Sequence, residues 1–367
     1  MNYYATMIKP ASGTCMLRCK YCFYEEESSR RKVKNRGVMT KRVMTGMIDQ
    51  ILNYFKTETV ITFAFQGGEP TCAGLDWFET FIDYVNRNKK TYHTIKYAIQ
   101  TNGILLDDLW AEFLKRNHFL VGISIDGPKW IHDPYRIDAV GGGTYDRVME
   151  SVNLLRKYNV PFNVLSVLSS ELSKHPAEYW QWLRENRFDY VQLTPCLPSS
   201  GNDPYALHPE EFFSFYDGLF PLWDKSREAG EHYSISLFDN VIPMFAGIPP
   251  VQCGFLGKCF PQFVIEADGS CYPCDFYCVD QYVMGNAAEK SPGELLRSRA
   301  LRSFAREPRR KCRECDDCRF EGMCHRQCKR MNVCYFDRNY CGYRSFLEKY
   351  EGKMRIAATW IQEIKRR

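Results

Sequence analysis

Residues 3–24 read YYATMIKPASGTCMLRCKYCFY, a short apolar run followed at once by three cysteines spaced C-x3-C-x2-C. Four cysteines close a four-iron cluster, whereas Cys15, Cys19 and Cys22 leave one iron without a protein ligand. An open iron can bind and reduce a small molecule, so the spacing predicts a cluster that carries out chemistry. The alternative is a zinc site, but tetrahedral zinc needs a fourth ligand, and the next candidates along the chain are Cys72 and His93.

Short apolar runs alternate with amphipathic segments through the first two thirds of the chain. The runs cover residues 3–8, 60–65, 95–100, 119–125, 162–168 and 190–194. The helical patterns cover about residues 40–55, 75–88, 107–116, 144–158, 175–187 and 209–226. Near-continuous apolar runs of this length suit parallel strands buried on both faces. Six strand–helix units in series therefore predict an α/β parallel barrel, complete or partial, with its polar motifs at the carboxyl ends of the strands.

The composition changes beyond residue 250, because twelve of the seventeen cysteines fall between Cys253 and Cys341. The stretch FVIEADGSCYPC (263–274) predicts a β-hairpin with Asp268 and Gly269 at its turn. A charged amphipathic helix is predicted over about residues 343–365. Disulfides are rare in a reducing compartment, so this many cysteines favours metal or cluster binding.

Composition excludes several classes of protein. No run of about 18 apolar residues exists, and residues 1–10 lack a charged-then-apolar signal pattern, so we expect a cytoplasmic protein that spans no membrane. The net charge of +5 is mild for 367 residues, and basic residues crowd the region from 297 to 330. Because no recognition motif accompanies them, we expect no nucleic-acid partner.

The cysteine spacing, with the aromatic Tyr21 before the third cysteine, resembles that of the radical S-adenosylmethionine (SAM) enzymes. The whole stretch from residue 9 to residue 24 is similar to that of the anaerobic sulfatase-maturating enzymes. The resemblance implies an open, partial (β/α)6 barrel. It also implies a SAM molecule that chelates the open iron and is cleaved to a 5′-deoxyadenosyl radical.

The motif QGGEP at residues 66–70 follows the second predicted strand, and its glycines let the backbone approach a ligand closely. The residues that the resemblance assigns to SAM are Tyr21, Gln66, Gly67, Gly68, Glu69, Ser124, Arg136 and Leu197. The QGGE backbone would hold the amino group, Ser124 and Arg136 the ribose or carboxylate, and the other two the adenine. From the residues alone, Ser124 is also a small barrel-lining residue and Arg136 a surface ion pair.

The cysteine-rich region resembles a SPASM domain, which carries two auxiliary [4Fe-4S] clusters. The implied ligands of the first are Cys253, Cys259, Cys274 and Cys328, and those of the second are Cys315, Cys318, Cys324 and Cys341. Fully ligated clusters suit electron transfer rather than SAM binding. The implied division is a radical SAM partial barrel over residues 1–230, a SPASM domain over 231–342 and a C-terminal helix over 343–367.

More cysteines are present than these three clusters need. The four left over in the SPASM region are Cys271, Cys278, Cys312 and Cys334. Cys271 could replace Cys274 as a ligand, and Cys312 with Cys315 could replace the pair at 315 and 318. A pair of zinc knuckles also stays open for this region. Two isolated cysteines near the predicted SAM motifs, Cys72 and Cys196, are predicted to be small packing residues.

Asp275 directly follows a predicted cluster ligand in the stretch CDFY. From the residues alone, a solvated Asp at a strand end is the commoner role. The resemblance instead implies a general base, since a carboxylate beside a cluster can take a substrate proton while the cluster takes an electron. The implied function is oxidation of a Cys or Ser side chain, in a peptide or unfolded sulfatase, to formylglycine. The enzyme would be a monomer that receives electrons from a donor such as flavodoxin or ferredoxin.

Two other functions remain open at this stage. A SPASM maturase could form thioether or carbon–carbon crosslinks in a ribosomal peptide, and the extra cysteines keep this alternative open. Many such enzymes carry a peptide-recognition domain ahead of the barrel, whereas the cysteine loop begins fourteen residues into this chain. The second alternative is a non-enzymatic iron–sulfur or zinc protein, against which the open three-cysteine loop and QGGEP argue.

Iron content tests the predicted set of three clusters. Protein reconstituted without oxygen should hold about twelve irons, and changing Cys15, Cys19 and Cys22 together to Ala should remove about four of them and abolish SAM cleavage. Iron analysis and an assay for 5′-deoxyadenosine measure the two effects. A wild-type protein that holds zinc and a single cluster would overturn the SPASM assignment.

Overall fold

A computed structural model describes residues 1–199 and 203–366. Within it the chain forms two compact units, each assembled from separate segments. The first unit contains Met1–Ser124, Tyr135–Phe162 and Phe260–Glu307. The second unit contains Ile125–Pro134, Asn163–Cys259 and Pro308–Arg367, of which residues 200–202 and 367 lie outside the described part.

The strands in chain order are β1 Asn2–Ile8, β2 Thr59–Phe65, β3 His93–Thr101, β4 Phe119–Ser124, β5 Phe162–Leu168, β6 Tyr190–Pro195, β7 Ser234–Ile235, β8 Val264–Ile265, β9 Ser270–Tyr272 and β10 Gly285–Asn286. The α-helices are α1 Phe23–Ser29, α2 Lys41–Tyr54, α3 Leu75–Asn88, α4 Asp108–Arg116, α5 Lys129–His132, α6 Tyr145–Lys157, α7 Ser170–Ser173, α8 Pro176–Glu185, α9 Pro209–Glu228, α10 Ser236–Met244, α11 Pro292–Leu296, α12 Arg299–Arg306, α13 Glu321–Cys324 and α14 Gly342–Arg366. Short 3₁₀ helices cover Pro70–Ala73, Cys253–Leu256, Asp275–Tyr277, Asp280–Tyr282, Arg313–Cys315 and Asn332–Cys334.

The sheet of the first unit has the strand order β10-β9-β8-β1-β2-β3-β4. Strands β8, β1, β2, β3 and β4 run parallel. Strand β9 pairs antiparallel with β8, and β10 pairs antiparallel with β9. Ile8 pairs with Phe65 on one side and with Ile265 on the other. The next residues, Lys9 and those that follow the two partner strands, therefore leave the sheet at the same edge.

Aromatic side chains between sheet and helices build the core of the first unit. Phe63 and Phe65 of β2 are buried, as their near-continuous apolar run predicts. The ring of Phe65 lies 4.9 Å from that of Phe78, and the ring of Phe63 lies 5.2 Å from that of Phe81. Such aromatic pairs each contribute about 0.5–1.5 kcal/mol beyond the area that they bury. They fix β2, and with it the QGGEP loop that follows.

In the second unit β5, β6 and β7 pair in parallel and helices α8, α9, α10 and α14 pack together. Helix α14 lies along α9, where the ring of Tyr350 is 4.6 Å from that of Phe220. The hydroxyl of Tyr350 donates to the backbone oxygen of Asp217 at 3.0 Å. The long C-terminal helix is therefore part of the core of this unit.

The sequence predicted most of these elements. Each of the six apolar runs lies within a strand to within one or two residues, and the predicted helices match to a similar precision. The hairpin after residue 263 is confirmed by antiparallel pairing of Val264 with Tyr272. Its first strand also joins β1 in parallel, and the two-residue strands β7 and β10 form, neither of which the sequence pattern predicted. The predicted division at residues 230 and 342 stays a prediction.

No α-helix in the described ranges is both long enough and apolar enough to cross a membrane.

Candidate active site

The cysteine loop lies between β1 and α1 in the first unit. Helix α1 begins directly after Cys22, whose backbone N–H donates to the oxygen of Cys19 at 3.2 Å. The backbone of the loop is also held by residues 135–137, because Arg18 N–H donates to Ile137 O at 2.7 Å and Lys20 N–H donates to Tyr135 O at 3.0 Å. The spacing of the cysteines is therefore fixed by backbone hydrogen bonds on both sides.

The thiol of Cys15 lies in a polar setting. Its sulfur is 3.4 Å from the backbone N–H of Leu17 and 3.6 Å from the side-chain amide of Asn102, both of which donate to it. Burial raises the pKa of the Cys15 thiol to about 11. N–H donors aimed at sulfur suit a thiolate that holds a cluster. Among residues 1–199 and 203–366, no three Cys, His, Asp or Glu side chains lie close enough to share one metal ion.

The QGGEP motif packs against the cysteine loop backbone to backbone. Gly68 N–H donates to Ser12 O and Glu69 N–H donates to Thr14 O, each at 2.8 Å. A Cβ on Gly68 would lie 2.5 Å from Thr14 O, a distance that real side chains do not reach. The close approach that the sequence predicted for a ligand is therefore made to the loop that carries the cysteines.

Glu69 links the same motif to the turn at the end of β3, whose sequence is TNG at residues 101–103. Its carboxylate accepts from the hydroxyl of Thr71 at 2.7 Å, the hydroxyl of Thr101 at 2.8 Å and the backbone N–H of Asn102 at 2.8 Å. Burial raises the pKa of Glu69 and these hydrogen bonds oppose that rise. Asn102 in turn reaches the sulfur of Cys15, so the motifs after β1, β2 and β3 form one connected assembly.

The other residues predicted to contact SAM are placed as follows. The ring of Tyr21 stacks on Tyr135 at 5.9 Å, and the guanidinium of Arg136 lies 5.7 Å from the Tyr21 ring. The structure thus brings Tyr21 and Arg136 together beside the cysteine loop. Ser124 is buried at the end of β4 in the first unit, and Leu197 follows β6 in the second unit. Their contacts with SAM stay predictions.

Asp275 begins a short 3₁₀ helix directly after Cys274 and is buried. Its Oδ1 lies 2.6 Å from the Nζ of Lys9. Its Oδ2 lies 3.4 Å from the side-chain nitrogen of Gln66, which donates to it. The predicted base therefore contacts the first residue of the QGGEP motif within the first unit.

A group of buried charges surrounds this ion pair, and the sequence analysis did not predict it. We define the Lys9 cluster as Lys9, Tyr24, Glu27, Arg31, Glu266, Asp275 and Cys278. Arg31 pairs with Glu266 at 2.6 Å, and the hydroxyl of Tyr24 also donates to Glu266. Glu27 accepts from the backbone N–H of Cys278 at 2.6 Å.

Burial and charge pairing act against each other within the Lys9 cluster. Burial alone lowers the pKa of Lys9, but the neighbouring Asp275 and other acidic groups raise it well above its ordinary value. The ammonium is therefore charged at neutral pH. Burial raises the pKa of Glu27 to about 7 although Lys9 and Arg31 oppose the rise. The sequence signal was Lys9 itself, an ionisable residue directly after a buried strand.

The ligands predicted for the second auxiliary cluster line one pocket in the second unit. These ligands are Cys315, Cys318, Cys324 and Cys341. Cys312 does not line that pocket, and its thiol points to the backbone oxygen of Arg338 at 3.7 Å. The donor set therefore fits a four-thiolate cluster and favours the pair at 315 and 318 over the pair at 312 and 315.

Three ligands predicted for the first auxiliary cluster belong to the second unit and lie near one another. Cys253 and Cys259 are close enough to Cys328 for their charges to interact. Cys274, the fourth predicted ligand, belongs to the first unit. Cys271, its rival in the sequence analysis, packs in the hydrophobic core beneath the sheet.

Comparison with known proteins agrees with this arrangement. Residues 10–178 match the radical SAM superfamily, and residues 257–319 match the SPASM iron–sulfur cluster-binding domain. The chain is 36% identical to a cysteine-type anaerobic sulfatase-maturating enzyme of Clostridium novyi, over 98% of each protein. It is 28% identical to a serine-type anaerobic sulfatase-maturating enzyme of Bacteroides thetaiotaomicron, over 88% of this chain and 81% of that protein.

Solved structures agree as well. The structure of native anSMEcpe with bound AdoMet has a TM-score of 0.89 and 34% identity, covering 97% of this chain and 99% of that chain. Streptococcus suis SuiB bound to precursor peptide SuiA has a TM-score of 0.63 and 17% identity, covering 89% of this chain and 72% of that chain. The second likeness shows a shared fold alone.

The parallel α/β sheet, the open three-cysteine loop and the cysteine-rich region thus define a radical SAM enzyme with a SPASM domain, and the predicted fold class is confirmed. Within that class, the protein belongs to the family of anaerobic sulfatase-maturating enzymes.

Gly68→Ala tests whether QGGEP and the cysteine loop form one assembly. The added methyl would meet the backbone of residues 13 and 14, so we expect the loop to shift and SAM cleavage to fall about 10²-fold, as a displacement near 1 Å can cause. SAM cleavage and iron content are the measurements. Gly352→Ala, where a Cβ meets nothing within 4 Å, is the matched control. Equal activity of both variants would show that the close approach is not needed.

Proposed function

We propose that the protein oxidises the Cβ of a cysteine in an unfolded sulfatase segment, which yields formylglycine. The observation that carries this proposal is the contact of Gln66 in the QGGEP motif with Asp275, at 3.4 Å. It joins the predicted SAM motif to a buried carboxylate that directly follows a predicted auxiliary ligand, Cys274. A substrate side chain placed beside this pair would have its Cβ near SAM and its thiol near a base.

The chain offers a donor set that fits three [4Fe-4S] clusters and one SAM. Cys15, Cys19 and Cys22 would hold the SAM-binding cluster, and the two predicted four-cysteine sets would hold the auxiliary clusters. When bound, these groups supply hydrogen-atom abstraction at the substrate Cβ and acceptance of the electron that the oxidation releases.

Asp275 is the residue that would move the proton. An ordinary thiol, with a pKa near 8.5, is too weak an acid for a carboxylate to deprotonate fully. Hydrogen-atom loss at Cβ makes the adjacent thiol far more acidic, so a carboxylate held at hydrogen-bond distance can then take its proton. Loss of one hydrogen atom at Cβ, one proton at sulfur and one electron, which an auxiliary cluster would accept, leaves a thioaldehyde. Water then exchanges sulfur for oxygen to give the aldehyde and hydrogen sulfide. Burial of Asp275 keeps bulk water away from the acceptor oxygen until the product leaves.

A cysteine substrate is the better supported choice. The relatives that are 36–37% identical to this chain are of the cysteine type, whereas those of the serine type are 24–28% identical. The chemistry points the same way, because a hydroxyl gives up its proton to a carboxylate far less readily than a thiol does.

The partners follow from this reaction. The substrate would be a peptide or an unfolded sulfatase segment, and the electrons would come from a carrier such as flavodoxin or ferredoxin. We propose a cytoplasmic monomer. The crosslinking alternative depended on the extra cysteines. Cys271, Cys278, Cys312 and Cys334 are each at most 1% exposed, so none of them is open to a substrate peptide.

A peptide of roughly twenty residues that carries C-x-P-x-R tests the function. We expect a product that reacts with hydrazine reagents, because oxidation at Cβ with no intramolecular partner ends in an aldehyde. Mass spectrometry of the hydrazone measures it, with the matched S-x-P-x-R peptide reacting more slowly. A product that has lost hydrogens but carries no carbonyl would instead indicate crosslinking, and no reaction with either peptide by SAM-competent enzyme would exclude maturation.

Asp275→Asn tests the base. The amide is nearly isosteric with the carboxylate but cannot accept the proton as a carboxylate does. We expect formylglycine formation to fall about 10²–10⁴-fold while SAM is still cleaved. The two products, 5′-deoxyadenosine and formylglycine, are quantified in the same reaction. Unchanged formylglycine formation would remove Asp275 from the mechanism.

A further inference from the structure

Lys9 is a buried cation to which neither the sequence nor the proposed reaction gives a task. Its side chain is 0% exposed, and burying an ammonium is costly unless charged and polar groups compensate for the lost water. The residue directly follows β1, where its backbone N–H donates to Ile265 O at 2.8 Å. Its stem runs under Gly67, since a Cβ on that glycine would lie 3.1 Å from the Cβ of Lys9. The backbone and stem of Lys9 are thus fixed before its charge is considered.

Three groups hold the ammonium. Its Nζ lies 2.6 Å from Asp275 Oδ1, 3.5 Å from the sulfur of Cys278 and 4.0 Å from the centre of the Tyr24 ring. An ammonium over an aromatic face is attracted by the ring quadrupole, more strongly where water is absent. The position of Nζ is therefore held by Cys278 and the Tyr24 ring as well as by Asp275.

The two oxygens of Asp275 are consequently not equivalent. Oδ1 faces a full positive charge at 2.6 Å, while Oδ2 has the side chain of Gln66 at 3.4 Å, which is long for a hydrogen bond. An oxygen in a tight charge-assisted contact is a weaker proton acceptor than one in a loose contact. Rotation of the carboxylate would exchange the two oxygens, and the fixed ammonium opposes that rotation.

We propose that Lys9 is the positioning residue for Asp275: by holding Oδ1 it fixes the carboxylate so that Oδ2 receives the substrate proton. This inference rests on the proposed function, in which Asp275 is the base. Lys9 does not touch the reacting atoms in this account. It sets which oxygen faces the substrate and keeps that oxygen in place through the reaction.

The experiment compares Lys9→Met with Lys9→Arg, Asp275→Asn and the double variant Lys9→Met/Asp275→Asn. Methionine keeps an unbranched stem without the charge. Arg31→Met is the matched control, because it removes the other cation of the Lys9 cluster, which pairs with Glu266 and Glu27 rather than with Asp275. Each variant is reconstituted, checked for iron content and given the C-x-P-x-R peptide. The readouts are the KM for peptide, the kcat for formylglycine and the ratio of 5′-deoxyadenosine to formylglycine.

For Lys9→Met we expect kcat to fall about 10²-fold, as a misplaced catalytic group can cause, with little change in the KM for peptide. The ratio of 5′-deoxyadenosine to formylglycine should rise by a similar factor, because radical formation outpaces productive oxidation. The Arg31→Met control should lose stability and iron without a change in this ratio. Lys9→Arg, which keeps a charge near Oδ1, should recover part of kcat.

The double variant Lys9→Met/Asp275→Asn shows whether Lys9 acts by positioning Asp275 or has a role of its own. If Lys9 acts through Asp275, Lys9→Met should cause no further loss of kcat in the Asp275→Asn background. A further loss equal to that of Lys9→Met in the wild-type background would overturn the inference, as would an unchanged product ratio in Lys9→Met.

Failure of the inference and failure of the function look different. If wild-type enzyme makes no formylglycine, or if Asp275→Asn is fully active, the proposed function or its base is wrong whatever Lys9 does. If wild type and Asp275→Asn behave as expected while Lys9→Met keeps the wild-type ratio of 5′-deoxyadenosine to formylglycine, the positioning role alone is wrong. Should Lys9→Met fail to assemble with iron, Lys9→Arg decides: a normal product ratio with a full kcat would show that the position of the charge is unimportant.

Discussion

Parallel strands that pair without offset carry their next residues to a common edge. In the first unit Ile8 lies between Phe65 and Ile265, so Lys9, Gln66 and Glu266 emerge side by side. None of the three could reach the others if either pairing slipped by one residue, because a slip reverses the face to which every side chain points. The ion pair of Lys9 with Asp275 and the contact of Gln66 with Asp275 both depend on this register.

The two motifs of the SAM site are coupled more tightly than their separation in sequence suggests. Gly68 and Glu69 bond to the backbone of the cysteine loop, and the Glu69 carboxylate bonds to Asn102, which reaches Cys15. A single chain of hydrogen bonds therefore runs from the QGGEP loop through the turn at residues 101–103 to Cys15, a predicted cluster ligand. Such preorganisation costs nothing at the moment of reaction, since the groups are already in place when SAM arrives.

Local patterns predicted the strands and helices well because each of these signals lies within a few residues of sequence. Phe63 and Phe65 reveal a buried strand by their immediate neighbours. The Lys9 cluster could not be found in this way, since Lys9, Glu266 and Asp275 meet only through the pairing of β8 with β1. Spacing likewise allowed both Cys312 and Cys318 as ligands, and only the packed structure distinguishes them, since Cys318 lines the pocket and Cys312 does not.

The pairing of β8 with β1 can form only after most of the chain has been synthesised. Thr6 of β1 bonds to the backbone oxygen of Phe263, 257 residues further along the chain. While the ribosome adds those residues, one edge of the first strand lacks its neighbour, and exposed strand edges invite pairing with other chains. Glu266 and Asp275, the acidic residues near Lys9 that follow β8, are synthesised equally late. A nascent chain of this enzyme therefore passes most of its synthesis with one edge of its first strand unpaired by β8.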